Sequence, residues 1–321
     1  MSVMVDLDAR GLPGLPEPLP LPTVDAHTHL DAVEERTGLS PQESLDLAAS
    51  VGIEWVIQAG DTAADSRWGE ELARTHPQVV ACVALHPNEV ARHPERYESG
   101  FAEIRELAGA GPHVRAIGET GLDYYRTTDP EGQKRQQEAF RRHIELACEL
   151  GLTLMIHDRD AHDDVLSILD DSPQPERVVM HAFSGDADFA RACAERGYWL
   201  SFPGVTTYNA NHHLHRALAV APIESILVET DAPYLTPVPA RGKPNGPYLT
   251  PYTVRFIAER RGWGVEETCR RLRKNAFAAY GGPWGVPKEP SASTPGEPSA
   301  GTPGEPSAST PGEPSSGTPG E

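Results

Sequence analysis

Val24-Asp25-Ala26-His27-Thr28-His29-Leu30-Asp31 is a short run framed by apolar residues and carrying two imidazoles two positions apart. Val24 and Leu30 mark it as a short buried strand, in which side chains alternate faces with a period of two. His27 and His29 therefore point the same way. Two imidazoles on one face at a strand end make half of a metal site, because the neutral ring nitrogen is the commonest protein ligand for a divalent transition metal.

Outward from this strand, strand and helix patterns alternate. Ser40-Pro41-Gln42-Glu43 has capping-box spacing with proline at the first helical position, and predicts a helix through Val51. Strands are expected at Ile53 to Ala59, at the continuous apolar run Val79 to Ala84, and at Val114 to Gly118. Helices around Ser66 to His76 and Glu95 to Leu107 lie between them. Asp129-Pro130 opens a long helix that Gly151 stops. The remaining strands are Leu152 to His157, Arg177 to His181, Tyr198 to Phe202 and Ile226 to Glu229, separated by helices at 161–169, 186–196 and 211–219. Two helices, 250–261 and 265–280, close the domain. Eight β/α units without an interrupting hairpin predict an α/β fold, a (β/α)8 barrel of TIM type. The alternative, a doubly wound open sheet, lacks its usual mark, since no Gly-x-Gly-x-x-Gly or P-loop follows the first strand.

On this map the metal-competent side chains fall together. His27 and His29 end the first strand, Glu119 follows the fourth, His157 ends the fifth, His181 ends the sixth and Asp231 follows the eighth. All six lie at C-terminal strand ends, the rim where barrel enzymes build their active sites. Four imidazoles and two carboxylates exceed the ligand set of one tetrahedral ion, whereas a carboxylate can bridge two ions roughly 3.5 to 4 Å apart. Glu119 is the natural bridge. Asp231 is placed both to hold an ion and to accept the proton of an activated water.

The motifs resemble those of the TatD-type metal-dependent deoxyribonucleases of the amidohydrolase-like superfamily. The matching pieces are Val24 to His29, Leu85-His86-Pro87, Ala116 to Asp123, His157-Asp158-Arg159-Asp160-Ala161, His181-Ala182-Phe183-Ser184-Gly185 and Glu229-Thr230-Asp231-Ala232-Pro233-Tyr234, spanning about 24 to 280. The resemblance implies a TIM-like barrel and divalent metals at His27, His29, Glu119, His157, His181 and Asp231. It also implies hydrolysis of phosphodiesters in DNA, with two ions per chain drawn from Mg, Mn or Zn. Thr23 stands where the family usually has an apolar residue and Thr153 where it often has proline; neither is a ligand.

Arg159 lies two residues after His157, on the same side of an extended segment. Its planar fork suits bidentate contact with phosphate, a salt bridge to Asp160 or Asp123 being the alternative. His86 and Tyr125 sit in rim loops, either touching substrate or capping the pocket. Glu229 shares the face of Asp231, as an extra ligand or as an orienting group. His212, His213 and His215 look like an exposed helix start. Arg241, Lys243 and Asn245 form the best local basic patch for a nucleic-acid backbone, or an ordinary solvated loop. A second function class is a related barrel hydrolase cutting a non-nucleic ester, lactone or amide. Several of those bridge their metals with a carboxylated lysine near strand four, and here Lys134, Lys243, Lys274 and Lys288 all lie away from strand ends. A third class, a non-catalytic scaffold, sits badly with a complete ligand set.

The net charge of −19 argues against a basic nucleic-acid coat protein but not against an enzyme that grips phosphate locally through metal ions. DNA is expected as substrate, with no membrane and no obligate protein partner. Cys82, Cys148, Cys193 and Cys269 are scattered, with no C-x-x-C pair, and read as reduced thiols. Without a basic n-region or a run of roughly 20 apolar residues, a cytoplasmic location is expected. Three regions follow. Residues 1–20 form a proline-rich extension, with five prolines between 11 and 22. The barrel covers 21–285. From 286 to 321 runs a tail in which an octapeptide, Glu-Pro-Ser-Ala-Ser-Thr-Pro-Gly at its start, recurs four times from Glu289 without an aromatic or large aliphatic residue, so disorder is expected there.

Overall fold

Eight strands form here, buried along nearly their whole length as the members of a parallel sheet are: β1 (Thr23–Thr28), β2 (Ile53–Ala59), β3 (Val79–Val83), β4 (Val114–Asp123), β5 (Thr153–Arg159), β6 (Val178–Met180), β7 (Trp199–Phe202) and β8 (Ile226–Val228). In this computed structural model, which describes residues 5–285 and Gly312, they pair in sequence order as one parallel sheet, β1 to β8. The sheet curls until its edges meet. The His29 N–H donates to the Ala232 carbonyl at 2.9 Å, the Asp231 N–H to the His27 carbonyl at 3.0 Å, and Thr28 bridges Ala232 in parallel sense. The result is a nearly closed barrel of TIM type.

Between the strands run α1 (Leu30–Thr37), α2 (Pro41–Ser50), α3 (Ala63–Thr75), α4 (Pro87–Arg92), α5 (Tyr97–Ala108), α6 (Pro130–Leu150), α7 (His162–Asp170), α8 (Ala187–Glu195) and α9 (His212–Val220), with α10 (Thr250–Arg261) and α11 (Val265–Ala279) closing the ring. Local chemistry sets their ends. Ser40 and Glu43 complete the expected capping box on α2, and the Asp129 carboxylate caps α6, whose last turn ends at Gly151 with φ of +63°. The core has two layers. One unites strand residues such as Val56, Val83, Ile117, Ile156 and Phe202 with helical Val33, Ile104, Phe140 and Ile144. The other fills the barrel with Val24, Ile57, Cys82, Met155 and Val179, and is floored by Tyr280 and Trp284.

Three departures from the sequence reading bear on the site. β4 runs on to Asp123 because Gly121, Leu122 and Asp123 pair with His157, Asp158 and Arg159 of β5, so Glu119 sits inside a strand rather than in a loop after it. Two short helices, α1 and α4, begin directly at His29 and His86 and so fix the exit angle of both rings. The packed unit also begins earlier than Leu21. Leu7, Leu12 and Leu19 are buried in the outer core, the Leu19 N–H donates to the Val51 carbonyl, and Tyr248 Oη donates to the Pro13 carbonyl at 3.1 Å. The lead-in is thus extended, as its prolines require, but it is a strap on the barrel. The tail expected to be disordered lies outside the described residues, apart from Gly312. Cys82, Cys148, Cys193 and Cys269 are free thiols. Among the described residues no helix is long and apolar enough to cross a membrane.

Candidate metal centre

The parallel barrel delivers His27, His29, Glu119, His157, His181 and Asp231 to one rim, and their donor atoms converge. Glu119 is the centre. Its Oε1 lies 3.4 Å from His29 Nε2 and 3.8 Å from His27 Nε2, while Oε2 lies 2.7 Å from His181 Nε2 and 3.0 Å from His157 Nδ1. Asp231 Oδ1 stands 3.4 Å from both His27 Nε2 and His29 Nε2. One carboxylate thus faces two pairs of imidazoles with different oxygens. Gly121 makes this approach feasible. At φ of +135° its backbone passes so close to β5 that a Cβ there would run into the His157 carbonyl.

A further ring of buried groups aims these side chains. Asp25, two residues before His27, accepts from the Thr230 N–H at 2.8 Å and from Thr230 Oγ1 at 2.6 Å, which ties β1 to the segment bearing Asp231. Glu229 Oε1 accepts the Ala182 N–H at 2.7 Å and stands 3.6 Å from His181 Nδ1, so it orients that ring. Asp123 Oδ2 lies 3.4 Å from His157 Nε2 and accepts from Asn88 Nδ2 at 2.8 Å. Asp61 Oδ1 is 4.0 Å from His29 Nδ1. Ala182 and Asp231 hold φ of +42° and +52°. Left-handed backbone at non-glycine residues costs about 1–3 kcal/mol and clusters at functional sites.

The electrostatics follow from packing acids and imidazoles out of water. Burial opposes the charge on Glu119, yet His181 and His157 prevail and hold its carboxyl well below the usual range. Asp231 is lowered likewise, burial being outweighed by His27 and His29. Burial works against the His157 cation, but Asp123 and Glu119 raise it to about 9. Burial and the neighbouring His181 lower His27, and burial pushes Asp25 and Asp61 up to about 8.

The donor set fits divalent cations. His27 Nε2 and His29 Nε2 face each other at 3.0 Å, and His181 Nε2 faces His157 Nδ1 at 3.4 Å. Such pairs of nitrogens share a proton or share a cation. Among the described residues, Glu229 Oε2, Asp61 Oδ1, His157 Nε2 and His181 Nδ1 are buried without a hydrogen-bond partner. Three overlapping groups bring donor atoms within 4.8 Å of one another: His27, His181 and Asp231; His27, His29 and Glu119; and His86, Glu119 and His157. Clusters of His, Glu and Asp able to bind metal are therefore present.

Above them opens a cavity of about 510 Å³ whose upper wall includes Arg126, Arg159, Ser184, His213 and Tyr234. The Arg159 guanidinium lies 3.9 Å over the ring of Tyr125 and, among the described residues, makes no ion pair. It is Arg126 whose Nε stands 4.0 Å from Asp123. Tyr125, expected at the substrate wall, is a 60% exposed platform beneath Arg159 and does not itself line the cavity. His86 does line it. Two sequence readings need correction. His213 belongs to the cavity wall rather than to an exposed helix start, while His212 is exposed and His215 Nε2 contacts the Thr206 carbonyl. Asn245 is buried, and its amide holds the loop after β8 by donating to the Thr230 and Tyr234 carbonyls, so it belongs to no basic patch. Asp25, Asp61, Asn88 and Arg126 join the site only in the folded chain. Only Asp25 left a signal, its spacing of two from His27.

The family model described as TatD related DNase matches residues 24–281. A relative from Mycobacterium tuberculosis, described as an uncharacterized metal-dependent hydrolase TatD, is 41% identical over 81% of this chain and 98% of its own length. The Escherichia coli metal-dependent hydrolase YcfH, also described as uncharacterized, is 35% identical over 78% of this chain and 93% of its own. The crystal structure of YjjV, a TatD homologue from Escherichia coli, superposes with a TM-score of 0.73 at 26% identity, covering 81% of this chain and 98% of that one. With the barrel, the ligand-bearing rim and these relatives in agreement, the chain belongs to the TatD family of metal-dependent hydrolases.

Proposed function

We propose that this hydrolase cuts phosphodiester bonds in DNA with two divalent ions held across Glu119. The observation that carries the reading is the division of the Glu119 carboxylate, Oε1 toward His27 and His29 and Oε2 toward His157 and His181. His27 and His29 would hold one ion through Nε2; His157 through Nδ1 and His181 through Nε2 would hold the other. Asp231 would complete the set. Bound there, such ions lower the pKa of a water and offset charge on a phosphate oxygen.

The chain's own residues supply the rest. Asp231, kept ionised by its histidine neighbours, is the proton acceptor at the cavity floor. Arg159, stacked on Tyr125 and without an ion-pair partner among the described residues, presents a planar fork to the cavity where a phosphate would enter. Arg126 adds a second cation on the same wall. These local charges answer the difficulty that the net charge of −19 poses for a polyanionic substrate.

The test is incubation of protein reconstituted with Mg, Mn or Zn with end-labelled single- and double-stranded DNA, beside a panel of carboxylic esters and lactones. Metal-dependent shortening of the DNA is expected. Turnover of an ester or lactone with no DNA cleavage would replace the reading with that of a carbonyl hydrolase on the same barrel.

A further inference from the structure

His86 stands close enough to Glu119 and His157 to be taken for a metal ligand, its Nε2 3.7 Å from Glu119 Oε2. Its other nitrogen excludes that role. The backbone N–H of Asn88 points at His86 Nδ1 from 3.0 Å. A backbone N–H can only donate, so Nδ1 must offer a lone pair and carry no proton. The ring is then neutral with its hydrogen on Nε2, and a protonated Nε2 has no lone pair left to give a cation.

We propose that His86 is a further catalytic residue, a fixed neutral donor whose Nε2–H binds a non-bridging oxygen of the phosphoryl group, and is not a ligand. The proposal rests on the phosphodiester reading above. At 3.7 Å from Glu119, Nε2 is beyond hydrogen-bonding distance of the carboxylate, and His86 lines the cavity wall. The donor is held rigid. Pro87 starts α4 immediately after it, and Asn88 is pinned by its Nδ2 donating to Asp123 Oδ2 at 2.8 Å. Asp123 also stands 3.4 Å from His157 Nε2, so one buried carboxylate aims the ligand His157 and, through Asn88, the donor His86.

In the step, the water oxygen forms a bond to phosphorus and the bond from phosphorus to the sugar oxygen breaks. The water's proton passes to Asp231, and the leaving oxygen takes a proton from solvent. His86 gives up nothing. Its hydrogen bond strengthens as charge gathers on the phosphoryl oxygens, which is the condition for lowering the barrel's reaction barrier rather than tightening ground-state binding.

Three measurements on the full chain decide the matter. Nitrogen-15 NMR of histidine-labelled protein, with the His86 signals identified by their loss in His86→Gln, should show a bare Nδ1 and a protonated Nε2. Zinc content by atomic emission should be the same in wild type, His86→Ala and His86→Gln. With bis(p-nitrophenyl) phosphate as substrate, His86→Ala should lose about 100- to 1,000-fold in kcat, the range for removing one preorganised donor, with KM little changed. His86→Gln, whose amide N–H reaches a similar place, should recover at least about tenfold of that loss. A bare Nε2, or zinc lost in step with activity, would overturn the proposal and make His86 a ligand; unchanged kcat in a folded His86→Ala would overturn it as well. If wild type ignores every phosphodiester but opens an ester, only the phosphodiester reading falls, and the same variants assayed on that ester still decide whether His86 is a donor or a ligand.

Discussion

Thr230→Val tests whether the seam of the barrel aligns the two halves of the metal centre. The substitution keeps shape and removes one hydroxyl. That hydroxyl donates to Asp25 Oδ2 at 2.6 Å and accepts from the Ala232 N–H at 3.2 Å, in a site where Thr230 is 2% exposed and Asp25 wholly buried. Valine would leave one buried acceptor and one buried donor short of a partner, at about 1–3 kcal/mol each, so a loss of about 2–6 kcal/mol is expected. Asp25, pushed up to about 8 by burial, can answer by holding its own proton, which places the loss in the lower half of that range. For a chain of this size about 3 kcal/mol lowers Tm by roughly 5–12 °C. Asp25 also sits between His27 and the backbone of Asp231, so zinc affinity should fall by about 10- to 100-fold, as it does when groups behind metal ligands are removed. Differential scanning calorimetry of the apo and zinc-loaded protein, with a competitive zinc titration, reads both numbers. A Thr230→Val protein that melts within about 2 °C of wild type and binds zinc equally well would refute the claim that this seam sets the ligand geometry.

Glu119→Gln keeps the shape of the side chain that faces both imidazole pairs but removes its charge, so metal content should fall toward one ion per chain and cleavage by at least about 100-fold, read by atomic emission and a cleavage assay on one preparation. Arg159→Ala should weaken DNA cleavage with metal content unchanged, and Arg159→Lys should recover only part of it, because an ammonium cannot copy the fork stacked on Tyr125; equal metal loss would recast Arg159 as a support for the ligands. His143 is buried between the Leu85 N–H, which its Nε2 accepts, and the Ala139 carbonyl, and burial lowers its pKa to about 4. Because the folded value lies below the unfolded one of about 6.5, its contribution is complete above pH 6.5 and is lost as pH falls toward 4. Between pH 7 and pH 5 it should therefore cost about 2 kcal/mol of unfolding free energy, a slope that urea titrations should find missing in His143→Gln.

The parts of this fold that read directly from sequence are those where one physical requirement acts alone. β2 and β3 announce themselves because both faces are buried, and α2 and α6 because Ser40, Glu43, Asp129 and Gly151 are capping residues in their proper places. β4 reads shorter in the sequence than it is because Glu119-Thr120-Gly121 turns polar where the strand reaches the site, so function overrides the apolar pattern. α1 and α4 start at histidines, which are not among the usual capping residues, and at eight and six residues they are too short to show a helical period, Pro87 being the one start signal. In the lead-in, prolines erase any period, so Leu7, Leu12 and Leu19 look like residues of a linker although they are core. The convergence of the six candidate ligands was legible because parallel β/α topology sends every strand end to one rim. His213, Asp61 and Asn88 were not, since a single polar residue reveals its aim only once the neighbouring elements are in place.

The hydrogen bonds from Thr230 to Asp25 span 205 positions of chain. On a ribosome adding about 5–20 residues per second, that separation means the first strand waits about 10–40 s for its closing neighbour. The strap from Leu19 to Val51 can dock early, since both residues emerge in the first fifth of the chain. The β1 edge stays open far longer, an unpaired backbone able to recruit a strand from another nascent copy. A net charge of −19 sets like against like among such copies during that interval. When β8 arrives, a single event covers the edge and brings His27 beside Asp231, so the step that closes the sheet is also the step that creates a place for metal.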